Sequence, residues 1–467
     1  MARDLVFSAT EALDILRQAD IDARLVGEAS AAFSTATLDS RKAGFGSLFV
    51  AFRGDRADGH DFAQAALGSG SRVLLLEREA FAARPGIAEA LGARSAAALL
   101  VPSSLPAFQA LARAKRRRHP SLIRVGITGS SGKTTTKEIV ASMLSRAGKV
   151  AMNPGNLNSD QGLALSLFGI EGDEKFGVFE MGMNRRGEMD ELASMYEPDY
   201  GLITNIGTAH IGILGSRQAI AEEKKRIFSR FDGRQVGLLR EDEEFGAFLS
   251  EGVRGEIVTY GIRSTAGFAG AEDLGLDGWA IDWEGLHFRF PLVGRHNLDN
   301  ALAALSLSAR MGIRAEEAAA GLEAVRPLFG RSEILRGPVT VLRDCYNANP
   351  ESVEAAMGFC DELSWKGRRL YVLGSMLELG ADSSSEHRRI GAAAARSKAD
   401  GLCFFGEESR AGWEAARAAG FGGFLAYEDD IASLGRTMAS WLREGDLVLL
   451  KASRGMALER VMDAIRG

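Results

Sequence analysis

Cysteine is scarce in this sequence: Cys345, Cys360 and Cys403 are the only three among 467 residues. They are widely separated and odd in number. That excludes a disulfide framework and the paired spacing of a structural zinc site, and it suits a reducing compartment. Long apolar runs are missing too. Stretches such as Leu447 to Leu450 fall far short of the roughly 20 residues that cross a bilayer, so no transmembrane segment is expected. Met1-Ala2-Arg3-Asp4 lacks the apolar stretch of a secretory leader, so the expected location is the cytoplasm. Nor is positive charge in excess. The chain has 56 Lys and Arg against 62 Asp and Glu, a net charge of −6, which argues against a protein that coats nucleic acid. The one basic cluster, Lys115-Arg116-Arg117-Arg118-His119, is short and has no interleaved aromatics. It reads as a solvated helix end.

What is present describes a soluble globular protein, with 46% hydrophobic and 25% charged residues. The length suggests about three domains. Texture divides the chain into 1–105, 106–327 and 328–467. In the first, 47–52 and 71–76 read as buried strands separated by a polar loop over 53–59, and 106–118 reads as a helix leading into Pro120. The second opens on the β-rich run 122–128, followed by a glycine turn and a helix over 133–146. Further short strands at 175–181 and 200–205 alternate with helices, which predicts a mainly parallel sheet covered on both faces. Residues 255–293 read as a β-rich insert of antiparallel strands. In the third segment, strands at 339–342, 369–373, 402–405 and 447–451 and helices at 386–398 and 411–419 predict a second α/β unit. The fold class is therefore α/β throughout, and the expected working unit is a monomer.

The strongest chemical signal is Gly129-Ser130-Ser131-Gly132-Lys133-Thr134-Thr135 between a strand and a helix. Its glycines let backbone N–H groups face phosphate oxygens. Lys133 suits the β- and γ-phosphates, and Thr134 suits Mg²⁺. The common phosphate loop has a glycine where this chain has Ile127, so the shorter G-x-x-G-K-T form applies. Glu180 ends the next strand and His210 follows the one after. Strand C-termini are where open α/β sheets bind ligands, so a carboxylate and an imidazole there, together with the phosphate loop, fit a Mg²⁺ site, although each alone reads first as a structural polar group. Lys224, within Glu222-Glu223-Lys224-Lys225-Arg226, reads on its own as part of a charged helix face. His296 and Asn297 precede a helical run; either suits a cap, and the amides of Asn297 and Asn300 also suit a purine edge. Arg331 can reach a phosphate and Asp344 a ribose hydroxyl. Lys451-Ala452-Ser453-Arg454 suits an anionic substrate group.

In order along nearly the whole chain, these segments resemble the Mur ligase family. Asp39-Ser40-Arg41 comes first, with Asp58-Gly59-His60 and the phosphate loop after it. Gly155-Asn156-Leu157-Asn158, Glu180-Met181-Gly182 and Asn205-Ile206-Gly207-Thr208-Ala209-His210 follow. Tyr346-Asn347-Ala348-Asn349-Pro350 and Met376-Leu377-Glu378-Leu379-Gly380 look like the branch whose amino substrate is D-alanyl-D-alanine. The resemblance implies an N-terminal UDP-sugar domain, a central ATPase domain and a C-terminal Rossmann-like domain. It implies ATP and Mg²⁺ as cofactors, and a UDP-N-acetylmuramoyl-tripeptide whose terminal carboxylate is phosphorylated before the amine attacks. It further implies that Lys224 is carbamylated and ligates Mg²⁺ with Thr134, Glu180 and His210. Asn297 and Asn300 match the adenine positions, Asp344 the ribose and Arg331 the phosphate. Ser40 and Arg41 match the UDP end, and Asn347, Asn349, Lys451, Ser453 and Arg454 the amino substrate. Arg343, Ser375, Ala452, Ser159 and Gln161 depart from the family pattern without removing a phosphate or metal residue. A sibling ligase adding the third peptide residue, or a folylpolyglutamate-type synthase, shares this chemistry. A phosphate-loop switch or motor would leave Tyr346 to Pro350 unexplained.

Overall fold

Three α/β layers follow one another along the chain in a computed structural model, which describes residues 6–54 and 57–463. The start of the chain, read above as lacking a leader, and positions 55 and 56 of the polar loop lie outside the described residues. Among the described residues, no helix is long and apolar enough to cross a membrane.

The N-terminal layer is a five-stranded sheet in the order Arg24–Gly27, Ala97–Val101, Val73–Glu77, Ser47–Val50, Thr35–Thr37. All its pairings are parallel except that of Arg24–Gly27. Its three inner strands are continuous, buried apolar runs because both faces are covered. The central sheet has six strands, all parallel, in the order Glu256–Tyr260, Val236–Arg240, Tyr200–Ile203, Ile123–Thr128, Phe176–Glu180, Val150–Met152. The chain leaves Ile123–Thr128 for one edge, returns beside it, then crosses to its other side. That switch opens a crevice at the C-terminal ends of Ile123–Thr128, Phe176–Glu180 and Tyr200–Ile203, where a ligand fits. The β-rich insert is only partly as expected. Phe268–Asp273, Trp279–Trp283 and Leu286–Phe290 form an antiparallel sheet, but Glu256–Tyr260 joins the parallel sheet as its edge.

The C-terminal sheet runs Glu333–Leu335, Thr340–Asp344, Leu447–Lys451, Arg369–Gly374, Gly401–Phe405, Phe424–Glu428. The first strand is antiparallel and the rest parallel. Sequence patterning missed both edge strands, Glu333–Leu335 and Phe424–Glu428, and the helix Pro350–Glu362. The edge strands are only partly buried, so their apolar pattern is weak.

Helix Ser104–Arg117 joins the first two layers. Its Phe108 stacks on Phe168 of the central layer, ring centroids 5.6 Å apart, and Phe168 also meets Phe7 and Phe33. The two layers thus share one apolar core. The basic cluster at the end of this helix is not a solvated face. Lys115 is 2% exposed and Arg116 5%. Lys115 Nζ donates to Ser34 O at 2.9 Å, Arg116 pairs with Glu197 at 2.7 Å, and His119 Nε2 donates to Glu174 O at 2.7 Å. The charges are needed there because the helix end is wedged between layers whose loops present carbonyls and a carboxylate.

Candidate active site

The phosphate loop follows Ile123–Thr128 and leads into helix Lys133–Leu144. Gly129 has φ +151°, and a Cβ there would stand 1.8 Å from Thr204 Oγ1. Only glycine permits that approach, which lets Thr204 Oγ1 donate to Ser131 O at 2.6 Å. Asn205 accepts from Ser130 N through its carbonyl and from Ser131 N through Oδ1, both at 3.0 Å. The loop is therefore laced to the end of Tyr200–Ile203.

Lys133 Nζ donates to Gly129 O at 2.9 Å, and Lys224 Nζ donates to the same oxygen at 2.9 Å. Lys224, in helix Arg217–Lys225, is 1% exposed, so the charged-face reading does not hold for it. Burial pushes the Lys224 amine well below its ordinary value, and neighbouring Lys133 adds to the shift. Burial likewise lowers Lys133. His210, in the left-handed region at φ +66°, is held down to about 3 by burial and then by Lys133 and Lys224.

Thr134 Oγ1 donates to Glu180 Oε2 at 2.7 Å and accepts from Arg331 at 2.9 Å. Arg331 belongs to the C-terminal layer, so this contact bridges two layers. Two more do the same: Asn349 Nδ2 donates to Ser131 Oγ at 2.9 Å, and Glu351 accepts from Thr208 N and Thr208 Oγ1, each at 2.9 Å. Asn349 manages this while its Oδ1 caps helix Pro350–Glu362, in a capping box with Ser352.

Asn297 and Asn300 are in the first turns of helix Arg295–Met311, whose N-cap is Gly294; neither His296 nor Asn297 caps it. Asn297 Nδ2 donates instead to Val293 O at 2.8 Å, and Asn300 Nδ2 to Asn297 Oδ1 at 3.2 Å. Asp344 accepts from Ser332 N at 3.0 Å and pairs with Lys451 at 2.8 Å.

One cavity of about 760 Å³ collects nearly all of these residues. Ser130 to Thr135, Glu180, His210, Asn297, Asn300, Arg331, Asp344, Asn347, Asn349, Lys451 and Arg454 line it. Gly129, Lys224 and Ser453 do not line it; Lys224 Nζ donates to Gly129 O, and Ser453 Oγ accepts from Leu377 N. Ser40 and Arg41 do not line it. Asp39 caps their short helix and pairs with Arg41, whose side chain is exposed. Sequence reasoning gave no role to Asn158, Thr208 or Glu351. Asn158 and Thr208 lay inside quoted motifs, but what they touch depends on distant loops. Of the departing residues, Arg343 pairs with Glu333 at 2.7 Å on the adjoining strand, and Ala452 packs against Gly374.

Family models match almost the whole of this arrangement: the Mur ligase family catalytic domain over 33–116, the Mur ligase middle domain over 127–308, and the Mur ligase glutamate ligase domain over 330–454. A Treponema pallidum relative, UDP-N-acetylmuramoyl-tripeptide–D-alanyl-D-alanine ligase, is 41% identical over 437 residues, covering 93% of this chain and 94% of its own. The chain belongs to the Mur ligase family. Among solved Mur ligases, MurF from Acinetobacter baumannii superposes with a TM-score of 0.86 at 27% identity, over 99% of both chains. MurF from Thermotoga maritima, solved in complex with ADP, gives 0.78 at 27% identity, over 92% of this chain and 96% of that one.

Proposed function

We propose that this Mur ligase joins D-alanyl-D-alanine to a UDP-N-acetylmuramoyl-tripeptide with consumption of ATP, a step in making peptidoglycan precursors. Within the family, the 41% identical relative carries that activity in its name, and the quoted Tyr346–Pro350 and Met376–Gly380 motifs agree with it. The observation that carries a ligase over a simple nucleotide switch is Arg331 of the C-terminal layer reaching Thr134 of the phosphate loop. A ligase must bring an amine to an acyl group made at that loop.

The peptide's terminal carboxylate oxygen attacks the γ-phosphorus of ATP, and ADP leaves. The amine of the dipeptide then attacks the acyl carbon, phosphate leaves with the electron pair, and the ammonium proton is released. Lys133 faces the transferring phosphoryl as a preorganised charge, and Arg331 adds a second. The Thr134 hydroxyl, the Glu180 carboxylate and the His210 imidazole form a donor set that fits Mg²⁺ beside bound phosphates. When bound, the ion supplies charge neutralisation at the β- and γ-oxygens. Asn297 and Asn300 are assigned to adenine, Asp344 to ribose, and Ser40 and Arg41 to the UDP end. The amino substrate is assigned to the face made by Asn347, Asn349, Lys451, Ser453 and Arg454. Lys224 is assigned as a carbamylated lysine, which its burial and lowered basicity favour. The domains are assigned as 1–105, 106–327 and 328–467, acting as a monomer in the cytoplasm.

The deciding experiment follows ADP release with each substrate omitted in turn. Steady release should need Mg²⁺, the UDP-muramoyl-tripeptide and D-alanyl-D-alanine together. Oxygen-18 placed in the peptide's terminal carboxylate should appear in released phosphate. ADP release indifferent to the dipeptide, or unlabelled phosphate, overturns the reading.

A further inference from the structure

Lys137 is a buried charge that the reaction above does not use. It is 0% exposed and stands in the second turn of helix Lys133–Leu144. Burial opposes a lysine there, because an ammonium loses its hydration when it leaves water. Its Nζ pairs with neighbouring Glu138 at 3.2 Å and donates to Asn153 O at 2.8 Å.

Asn153 is also 0% exposed. It follows the edge strand Val150–Met152, whose ladder with the next strand ends at Met152 opposite Val178. Beyond that point the Asn153 side chain takes over the pairing. Its Oδ1 accepts from Glu180 N at 2.9 Å, and its Nδ2 donates to Glu180 O at 3.0 Å and to Leu157 O at 2.9 Å. One amide thus grips both backbone groups of Glu180 and the loop that carries Asn158. Asn158 Nδ2 then donates to Glu180 Oε1 at 2.7 Å, while Thr134 Oγ1 donates to Oε2. Both carboxylate oxygens are aimed by this assembly.

We infer that Lys137 and Asn153 are positioning residues for the Glu180 carboxylate. Neither lines the cavity. Lys137 holds the Asn153 backbone, and Asn153 holds the Glu180 backbone and the Asn158 loop. Together they present a preset carboxylate beside Thr134 to the cation that accompanies the nucleotide. The inference rests on the nucleotide reading above, but not on the identity of the acyl or amino substrate.

The test uses the full chain with Lys137→Met, Lys137→Gln and Asn153→Ser. Mn²⁺ replaces Mg²⁺ as a paramagnetic probe, and its uptake is titrated in the presence of ADP. Metal-free ADP binding and the thermal midpoint are measured alongside. Lys137→Met and Asn153→Ser should weaken Mn²⁺ uptake by about 10- to 100-fold, the usual effect of losing a group that orients a metal ligand. Metal-free ADP binding should stay close to that of the parent. Lys137→Gln keeps a donor and should fall between. Folded variants that take up Mn²⁺ as the parent does overturn the inference, as does an equal loss of metal-free ADP binding. If Lys137→Met does not fold, Asn153→Ser carries the same readout. A parent that takes up no Mn²⁺ with ADP overturns the nucleotide reading itself.

Discussion

Lys133 and Lys224 donate to one and the same acceptor, the carbonyl of Gly129. Two ammonium groups at that separation repel unless an anion lies between them or one gives up its charge. In the phosphate role proposed for Lys133, bound phosphate supplies the anion. Lys133→Ala should therefore lower turnover by on the order of 10² or more, through loss of a charge facing the transferring phosphoryl. A correctly folded variant with near-parental turnover would remove Lys133 from that role. Lys224 has the second option. On the carbamylation proposed above, its amine, lowered by burial, would react with CO₂ in its neutral form and become an anion. Depleting bicarbonate should slow the enzyme, and adding it back should restore the rate. Lys224→Ala should be nearly inactive and regain part of its rate with formate or acetate. No response to bicarbonate in the parent, together with no rescue of the variant, would leave Lys224 as an ordinary buried lysine.

Helix Ser104–Arg117 was legible from its sequence to within two residues, but its environment was not. A run of four basic residues and a histidine reads as a solvent-facing end on composition alone. Burial between two layers reverses that meaning and lowers the Lys115 amine from 10.5 to about 8. Between those two values the unfolded chain holds the proton and the folded chain does not, so stability rises with pH across that window. Below pH 8 both states are protonated and the slope from this group vanishes. Lys115→Met keeps the apolar stem and removes the titration. The thermal midpoint of the parent should therefore gain on that of the variant between about pH 8 and 10.5. Parallel curves would show that Lys115 keeps its ordinary basicity in the fold.

The central and C-terminal layers meet over the phosphate loop in a closed arrangement. Arg331, Asn349 and Glu351 each cross the gap to hydrogen-bond the loop or its neighbour. Their contacts are complete only when the layers are together, which couples closure to assembly of the site and shelters an acyl-phosphate from water. A pair of glycines meets closely across that junction. A Cβ on Gly212 would stand 2.9 Å from Gly380 N and 3.0 Å from Gly380 Cα. Gly212 lies in the short helix Ile211–Leu214, so alanine suits its backbone. Gly212→Ala should wedge the layers apart, cutting turnover by about tenfold while leaving the thermal midpoint nearly unchanged. Small-angle scattering should show a smaller fall in radius of gyration on adding an ATP analogue and the nucleotide-sugar peptide than the parent shows. Parental turnover with full compaction would mean that the glycine contact does not govern closure.

Local pattern alone determined the α/β class, the strand–loop–helix that cradles phosphate, and most buried strands, because apolar periodicity and glycine spacing are properties of short windows. It also placed Glu180 at the end of one strand and His210 in the loop that follows the next. Partners were decided by the tertiary structure. Asn153 and Glu180 are 27 positions apart, Thr208 and Glu351 143, and Thr134 and Arg331 197. No window of sequence contains both members of such a pair, so the roles of Asn153, Lys137 and Glu351 were invisible until the loops met. Burial was decided at the same level: Lys115, Lys137 and Lys224 look like surface lysines in the chain, and packing between layers removes them from water.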